Sequence, residues 1–141
     1  MAAFLYERAV HYYETDQMGI VHHSNYIRWL EETRLVLLNE IGLPYDRMEE
    51  QGILIPVLSA SCEYRVPFRF GDTFQVQAFP IAFNGVKLRI GYRICHQATG
   101  TLHTTGETSH CFVNKQMQLV RLKRDYPDIY FPLQKWAEEN A

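Results

Sequence analysis

The sequence predicts an α+β fold in which an antiparallel β-sheet curls around one long, buried α-helix. Two observations lead to this prediction. Between Tyr26 and Ile41, apolar residues cover well over half of a helical wheel, so this helix needs cover on most sides. From Ile53 onward, the pattern changes to an alternation of apolar and polar residues with a period of two, interrupted by tight turns. Because a flat pair of strands cannot cover so wide an apolar arc, the sheet is expected to curl.

The predicted elements can be placed in order along the chain. Residues 4–13 suit a first strand, because aromatic and aliphatic side chains stand among charged ones. A polar loop then leads into the long helix, which Gly42 and Pro44 are expected to end. Residues 45–51 predict a short helix. Further strands are predicted at residues 58–66, with one face to solvent, and at residues 73–83, 86–94 and 102–114.

Two local signals refine this picture. Asn84-Gly85 predicts a hairpin with a type I′ turn, in which both central residues need a positive φ. Pro132 predicts the start of a short C-terminal helix. One long helix followed by an antiparallel meander is the hotdog fold. Leu35 interrupts the polar strip of the helix, and an open sheet has edges to protect, so we expect a homodimer or a homotetramer.

Composition limits the class of protein. A length of 141 residues with 47% hydrophobic content predicts a single domain spanning residues 1–141. The net charge of -2 comes from mixed signs, which disfavours nucleic acid as a partner. Three separated cysteines indicate neither a disulfide framework nor a zinc site. Glu7 interrupts the apolar N-terminus, so no membrane span is expected there. We therefore expect a cytoplasmic protein without a metal or a cofactor.

A family resemblance rests on the run from Asp16 to Tyr26, DQMGIVHHSNY. This run resembles the active-site loop of the hotdog acyl-CoA thioesterases of the 4-hydroxybenzoyl-CoA thioesterase branch, whose pattern is D-x-x-G-x-V-x-[HY]-x-x-Y. Later segments are similar to that branch as well, and they follow in the same order: Glu63-Tyr64 through Pro67, Gly71-Asp72, Thr99-Gly100, and Gly106-Glu107-Thr108 with His110. The resemblance thus covers nearly the whole chain.

The resemblance implies a role for each matching residue. Asp16 would be the catalytic carboxylate, acting either as a general base on water or as a nucleophile. The backbone N–H of His23 would polarise the thioester oxygen, and its side chain would also belong to the site. Asn25 and Tyr26 would shape the substrate pocket. The implied partner is an acyl- or aryl-CoA substrate, which would be hydrolysed to the free acid and CoA.

Thioester chemistry is consistent with these roles. The leaving thiolate has a conjugate acid with a pKa of roughly 8 to 9, so no strong general acid is needed. Hydrolysis then needs one nucleophile or base and a site for the oxyanion. The start of a helix offers free amides and a partial positive charge, and losing one such donor costs on the order of 3 kcal/mol of transition-state stabilisation.

Other interpretations of the same residues stay open. Asp16 could be a turn or cap residue, and Arg28 with Glu31 and Glu32 could form an intrahelical ion-pair strip. One of the two glutamates is the reserve candidate for the carboxylate, because some proteins with this fold carry it on the central helix. Lys87 and Arg89 share a strand face with Arg93, so they could hold CoA phosphates or could simply face solvent. His22 and His23 lack a third ligand at a suitable spacing for a metal site.

Three alternatives to an acyl-CoA thioesterase differ in chemistry. An acyl-ACP thioesterase would use another carrier for the same reaction, and a non-catalytic acyl-CoA-binding module would bind without turnover. A hydroxyacyl-thioester dehydratase is disfavoured, because its histidine lies near a loop rich in proline and glycine, and no proline precedes the long helix here. Thiol release from a thioester separates hydrolysis from binding alone.

Overall fold

The computed structural model describes residues 4–141 and contains one antiparallel five-stranded sheet. The strands are β1 (Phe4–Ala9), β2 (Val57–Tyr64), β3 (Thr73–Phe83), β4 (Lys87–His96) and β5 (Leu102–Cys111). The helices are α1 (Ser24–Glu40), α2 (Tyr45–Glu50), α3 (Leu122–Asp125) and α4 (Pro127–Glu139), and a 3-10 turn covers Tyr12–Glu14. The strand order is β1-β3-β4-β5-β2. The α+β prediction is therefore confirmed; residues 1–3 of the predicted domain lie outside the described residues.

Helix α1 packs against the sheet through its buried side. Trp29, the central contact, stacks on Phe74 of β3, with ring centroids 3.9 Å apart and planes 11° apart, and neither residue is exposed to solvent. On β5, a Cβ added to Gly106 would approach Leu30 and the Ser61 carbonyl to 3.1 Å, so the missing side chain lets the helix come close to the sheet. Truncating a buried aromatic ring of this kind costs roughly 3 to 5 kcal/mol.

The end of α1 follows the sequence prediction. Gly42 has a φ of 87°, and its N–H donates to the Asn39 carbonyl while the Leu43 N–H donates to the Leu38 carbonyl. These two bonds form a Schellman motif, which satisfies carbonyls left free at the end of the helix. Only glycine adopts this left-handed conformation without a steric cost.

The turn between β3 and β4 is not of type I′. Gly85 has a φ of 86°, but Asn84 is not among the residues with a positive φ. The connection is longer than two residues, running between Phe83 and Lys87. The Asn84 side-chain oxygen accepts the N–H groups of Val86 and Lys87, at 2.9 and 2.8 Å. The predicted hairpin exists, but Asn84 stabilises it through its side chain rather than through a left-handed backbone.

Strand β2 was expected to have one face to solvent, and the structure corrects this expectation. Nearly every side chain of β2 is exposed, including Leu58 at 53% and Tyr64 at 49%. Among the described residues, the strand lies at an edge of the sheet and pairs only with β5. Alternation in the sequence reports the periodicity of a strand, but it does not report whether another layer covers either face.

Both ends of the chain differ from their predictions. Strand β1 stops at Ala9, because the chain turns into the 3-10 turn that follows. Helix α4 begins at Pro127 rather than after Pro132, which lies inside it. Pro127 occupies the first turn, where its missing N–H costs nothing. Ile129, Leu133 and Trp136 are buried along α4, so packing holds a helix that tolerates an internal proline.

Two further observations bear on the setting of the protein. Within residues 4–141, no helix has both the length and the apolar character needed to cross a membrane. Cys62, Cys95 and Cys111 are free thiols. The cytoplasmic location stays a prediction.

Candidate active site

Asp16 lies in a tight loop between the 3-10 turn and α1. Thr15 and Val21 form an isolated antiparallel bridge, and the Asp16 N–H donates to the Ile20 carbonyl at 2.8 Å. The Gly19 N–H returns to the Asp16 carbonyl at 3.0 Å, with Gly19 at a φ of 78°. The motif glycine is therefore required by the backbone, because it closes a loop that a residue with a side chain would strain.

One oxygen of the Asp16 carboxylate belongs to this loop. Oδ1 accepts the Met18 N–H at 2.8 Å, as in an Asx turn. No other hydrogen-bond donor within residues 4–141 reaches the carboxylate, so Oδ2 is left for another partner. The side chain is half-buried. The turn role considered from the sequence is thus real, and it leaves one oxygen available for chemistry.

The helix that follows begins with an unpaired amide. His23 precedes α1 with helical φ and ψ of -56° and -28°, and the Asn25 N–H already donates to the His22 carbonyl at 3.0 Å. Across the described part of the chain, no acceptor pairs with the His23 N–H. An amide at this position carries part of the positive end of the helix dipole, so it can donate to an oxyanion.

The two histidine side chains lie together outside this amide. Their rings stack with centroids 4.2 Å apart, and His22 Nδ1 lies 2.8 Å from the Ser24 hydroxyl. Both residues are exposed, and the His23 ring also meets the edge of Tyr64 at 6.4 Å. No group of three side chains of the kind that binds a metal occurs among residues 4–141.

Asn25 and Tyr26 are directed into the protein. Asn25 is buried, and its side-chain amide donates to the Glu14 carbonyl at 2.9 Å. The Tyr26 hydroxyl accepts the Phe68 N–H at 3.4 Å, and its ring packs against Trp29 and Tyr64. Burial raises the pKa of Tyr26, so the phenol stays neutral. Both side chains hold the loop and the helix start in place; their contact with substrate stays a prediction.

The residue that joins the loop to the helix is Glu14, which the sequence analysis did not single out. Its buried carboxylate receives a bidentate pair from Arg8 at 3.0 and 2.8 Å. It also accepts the Trp29 indole N–H at 2.7 Å and the His11 amide at 2.8 Å. Burial raises the pKa of Glu14, but the hydrogen bonds from Arg8, Trp29 and His11 outweigh burial and lower it to about 2. No periodic pattern marks such a residue, because its partners are brought together only by folding.

The reserve candidates on α1 have other surroundings. Glu32 accepts from the Arg8 guanidinium at 2.7 and 3.0 Å and from the Tyr6 hydroxyl at 2.8 Å. The Glu32 carboxylate therefore bonds to side chains of β1 rather than to Arg28. Within residues 4–141, the intrahelical ion-pair strip considered from the sequence does not form. Glu31 is exposed and lines a cavity further along the helix.

Lys87 and Arg89 are far from Asp16 within one chain. The Asp16 loop lies against Phe68, whose ring stacks near His96 at the end of β4. Lys87 begins β4, and the distance from Lys87 to His96 along an extended strand is about 30 Å. Arg89 forms an exposed ion pair with Glu107 at 2.8 Å. The structure thus does not bring these cations to the loop, and their role in CoA binding stays a prediction.

This fold, with an aspartate loop leading into an open helix start, defines a hotdog thioesterase. The sequence model of the Thioesterase-like superfamily matches residues 10–130. The chain belongs to this superfamily and is a thioester hydrolase, which confirms the resemblance drawn from the sequence.

Individual relatives cover most of the chain. The Bacillus subtilis (strain 168) protein "Putative acyl-CoA thioesterase YneP" is 36% identical over 92% of this chain and 94% of its own length. The hypothetical protein TT1821 from Thermus thermophilus has a TM-score of 0.86 at 34% identity, covering 94% of this chain and 98% of its own. The DHNA-CoA thioesterase from Staphylococcus aureus has a TM-score of 0.87 at 29% identity, covering 97% and 94%.

The Glu14 site predicts a specific dependence of stability on acid. Because the folded-state pKa of about 2 lies below the ordinary value of 4.5, the ionised carboxylate stabilises the fold fully above about pH 4.5. This contribution, about 3 kcal/mol from the size of the pKa shift, is lost as the pH falls toward 2. Denaturant unfolding measured between pH 7 and pH 2 should show this loss in the wild type.

Glu14→Gln should be less stable than the wild type at pH 7 and should lack this part of the acid dependence. Glu49→Gln, an exposed change of the same kind on α2, serves as the matched control and should follow the wild-type curve. The assignment to Glu14 would be wrong if the Glu14→Gln protein lost stability with acid as steeply as the wild type.

Proposed function

We propose that this chain hydrolyses acyl- or aryl-CoA thioesters to the free acid and CoA. The observation that carries the proposal is that, among residues 4–141, the segment leading into α1 carries both a carboxylate with an unbonded oxygen, on Asp16, and an amide with no acceptor, on His23. The names of YneP and of the Staphylococcus aureus DHNA-CoA thioesterase support CoA as the carrier of the acyl group.

In the proposed reaction, the thioester carbonyl oxygen accepts the His23 N–H, which polarises the carbonyl carbon. Asp16 then either removes a proton from a water molecule that attacks this carbon, or attacks the carbon itself. The first route forms a tetrahedral intermediate directly; the second forms a mixed anhydride that water must hydrolyse. In both routes the C–S bond breaks and the electron pair leaves on sulfur, and CoA takes up the proton.

The surroundings of the loop suit these steps. The oxyanion would form at the positive end of α1, where it is stabilised by the helix dipole. The Glu14 carbonyl accepts both the His22 N–H and the Asn25 side chain, so the backbone before His23 is fixed. A donor that is already in position does not have to reorganise as charge develops.

Asp16→Asn tests the proposed carboxylate. We expect it to lower kcat for acyl-CoA hydrolysis by about 10² to 10⁴-fold, because the amide is neither a base nor a nucleophile. Thiol release from short, long and aromatic acyl-CoAs measures the effect, and Asp46→Asn, an exposed change on α2, is the matched control.

Near-normal kcat in Asp16→Asn would contradict this role and would direct attention to Glu31, to be tested by Glu31→Gln. CoA binding without thiol release by the wild type from any substrate would instead identify a binding module. Hydrolysis confined to acyl groups on acyl carrier protein would replace CoA as the carrier.

We propose further that the chain forms a homodimer or homotetramer through the exposed edge of β2. On its outer side this strand has no neighbouring strand among residues 4–141, and it carries the exposed apolar side chains of Val57, Leu58 and Tyr64. Exposed Leu35 and Val36 on α1 extend the apolar surface. Free, apolar strand edges are normally covered in stable proteins, and pairing with a second copy is one way to cover them.

Leu58→Lys should convert the oligomer into a monomer, because it places a charge on this edge. Light scattering coupled to size-exclusion chromatography gives the mass. Leu5→Lys makes the same change at an exposed position on the opposite edge strand, β1, and should leave the oligomer intact. Dissociation by Leu5→Lys alone would place the interface at the other edge.

Lys87 and Arg89 are proposed to bind the phosphates of CoA. Both are exposed on one face of β4, and Arg89 keeps its guanidinium at the surface despite its pair with Glu107. We expect Arg89→Ala to raise KM for acyl-CoA more than it lowers kcat, because it removes binding that is equal in the ground state and the transition state. Steady-state kinetics measure both constants, and Arg124→Ala serves as the surface control. An unchanged KM in Arg89→Ala would refute the assignment.

A further inference from the structure

Two aromatic side chains are exposed beside the Asp16 loop. Tyr12, on the 3-10 turn, is 75% exposed, and Phe70, on the connection between β2 and β3, is 60% exposed. Their rings meet edge to face, with centroids 5.4 Å apart and planes 80° apart. Single exposed apolar residues are common at protein surfaces, but two aromatic rings in contact form a patch, and exposed apolar patches often mark binding sites.

The backbone holds both aromatic residues beside the loop. The Tyr12 carbonyl accepts the Thr15 N–H at 3.1 Å, directly before the aspartate of the loop. On the other side, Ile20 forms an antiparallel bridge with Arg69, and the Ile20 carbonyl accepts the N–H of the same aspartate at 2.8 Å. Phe70 follows Arg69 in the chain, so the aromatic pair lies next to the loop that carries the proposed catalytic carboxylate.

Arg69 adds an exposed cation to this patch. Among the described residues, its guanidinium takes part in no hydrogen bond and no ion pair. Two carboxylates on the adjoining segments have other partners. Asp72 accepts the Arg69 N–H at 2.8 Å and faces His96 at 3.3 Å. Glu14 is paired with Arg8. The charge of Arg69 is therefore left for a ligand.

The backbone of Arg69 is fixed by its neighbours. Its carbonyl accepts the Asp72 N–H at 3.1 Å, and the Asp72 carbonyl accepts the Val10 N–H at 2.9 Å. Gly71, with a φ of 96°, lies within this turn. The turn is thus joined to the chain two residues before Tyr12, so the guanidinium and the two rings extend from one connected framework. Because this backbone is already ordered, binding costs less conformational entropy.

An aromatic pair next to an arginine is suited to a nucleotide. Nucleobases stack on aromatic side chains, and arginine binds phosphate oxygens in a bidentate manner. CoA joins an adenine base and phosphates to the thiol that carries the acyl group. Because Cα atoms paired across an antiparallel bridge are about 5 Å apart, the Arg69 backbone lies on the order of 10 Å from that of Asp16. The pantetheine arm of CoA is longer than this, so one substrate can reach both.

We propose that Phe70 and Tyr12 stack on the adenine of the CoA substrate and that Arg69 binds one of its phosphates. This inference rests on CoA as the carrier in the proposed function. CoA has more than one phosphate, so the separate prediction for Lys87 and Arg89 stays in place. An aryl acyl group with an anionic substituent would offer the same chemistry, an aromatic ring with a negative charge. Pantetheine thioesters separate the two ends of the substrate, because they keep the acyl group and lack the nucleotide.

Thiol release is measured with the butyryl and benzoyl thioesters of CoA and of pantetheine. Phe70→Ala should lower kcat/KM for both CoA thioesters at least about fivefold, through KM, because stacking on the base is lost. Its kcat/KM for both pantetheine thioesters should equal that of the wild type. Phe70→Tyr, which keeps the ring, should behave as the wild type, and so should Phe131→Ala, an exposed control on α4.

Arg69→Gln tests the phosphate contact with the same substrates. It should raise KM for the CoA thioesters about tenfold, because a charge-assisted hydrogen bond is lost. The difference from the wild type should shrink as salt is added, since the contact is at the surface. Arg124→Gln, also at the surface, is the matched control and should leave KM unchanged.

Calorimetry with CoA and pantetheine separates this patch from turnover. The wild type and Asp16→Asn should both bind CoA more tightly than pantetheine, and Phe70→Ala and Arg69→Gln should reduce this difference even if no thioester is hydrolysed. Thermal melts confirm that each variant is folded, and Arg69→Gln keeps the measurement decisive if Phe70→Ala is not.

Three results would overturn the proposal. The first is equal binding of CoA and pantetheine by the wild type, or equal losses with both carriers in Phe70→Ala and Arg69→Gln. The second is a loss confined to the benzoyl thioesters of both carriers, which would assign the patch to the acyl group. The third is a changed oligomer mass in Phe70→Ala, measured by light scattering, which would assign the patch to an interface between copies of the chain.

Discussion

The ion pair between half-buried Arg8 and buried Glu14 is the constraint on which the site depends. Glu14 joins the first strand, the loop and the central helix, because its carboxylate binds Arg8 and Trp29 while its carbonyl accepts from Asn25 and the His22 amide. A buried carboxylate is costly unless its hydrogen bonds are satisfied, and here donors from three segments satisfy it. The same residues therefore fix both the ionised state of Glu14 and the path of the chain toward His23.

Helix α1 connects two regions of different chemistry. At its start, an amide with no acceptor among residues 4–141 follows a loop that carries a half-buried aspartate. Further along, Arg34 lines a mainly apolar cavity between α1, α2, α4 and the sheet. Packing of Trp29 on Phe74 fixes the position of the helix between them. A rigid helix can thus border a polar, solvent-accessible loop at one end and a mainly apolar cavity further along.

Several features of the fold could be predicted because their causes are local. The glycine after α1, the alternation of β3 and β4, and the aspartate loop each depend on residues close in sequence. The prediction of a type I′ turn was wrong because the side chain of Asn84 accepts the N–H groups of the turn instead. The predicted start of α4 was wrong because burial of Ile129 and Leu133 outweighs the disruption expected from Pro132.

By itself, the sequence determined the order of the elements, the buried helix, and the residue types of a thioesterase loop, since periodicity and motif spacing are properties of the chain alone. Only the tertiary structure decided that Glu14, which lies outside the motif, ties the loop to the helix. It also decided that β2 is left uncovered, that Lys87 and Arg89 lie away from Asp16, and that Arg34, His110 and Trp136 share a cavity. These facts depend on contacts between residues distant in sequence, and no local pattern encodes which distant side chain becomes the neighbour of another.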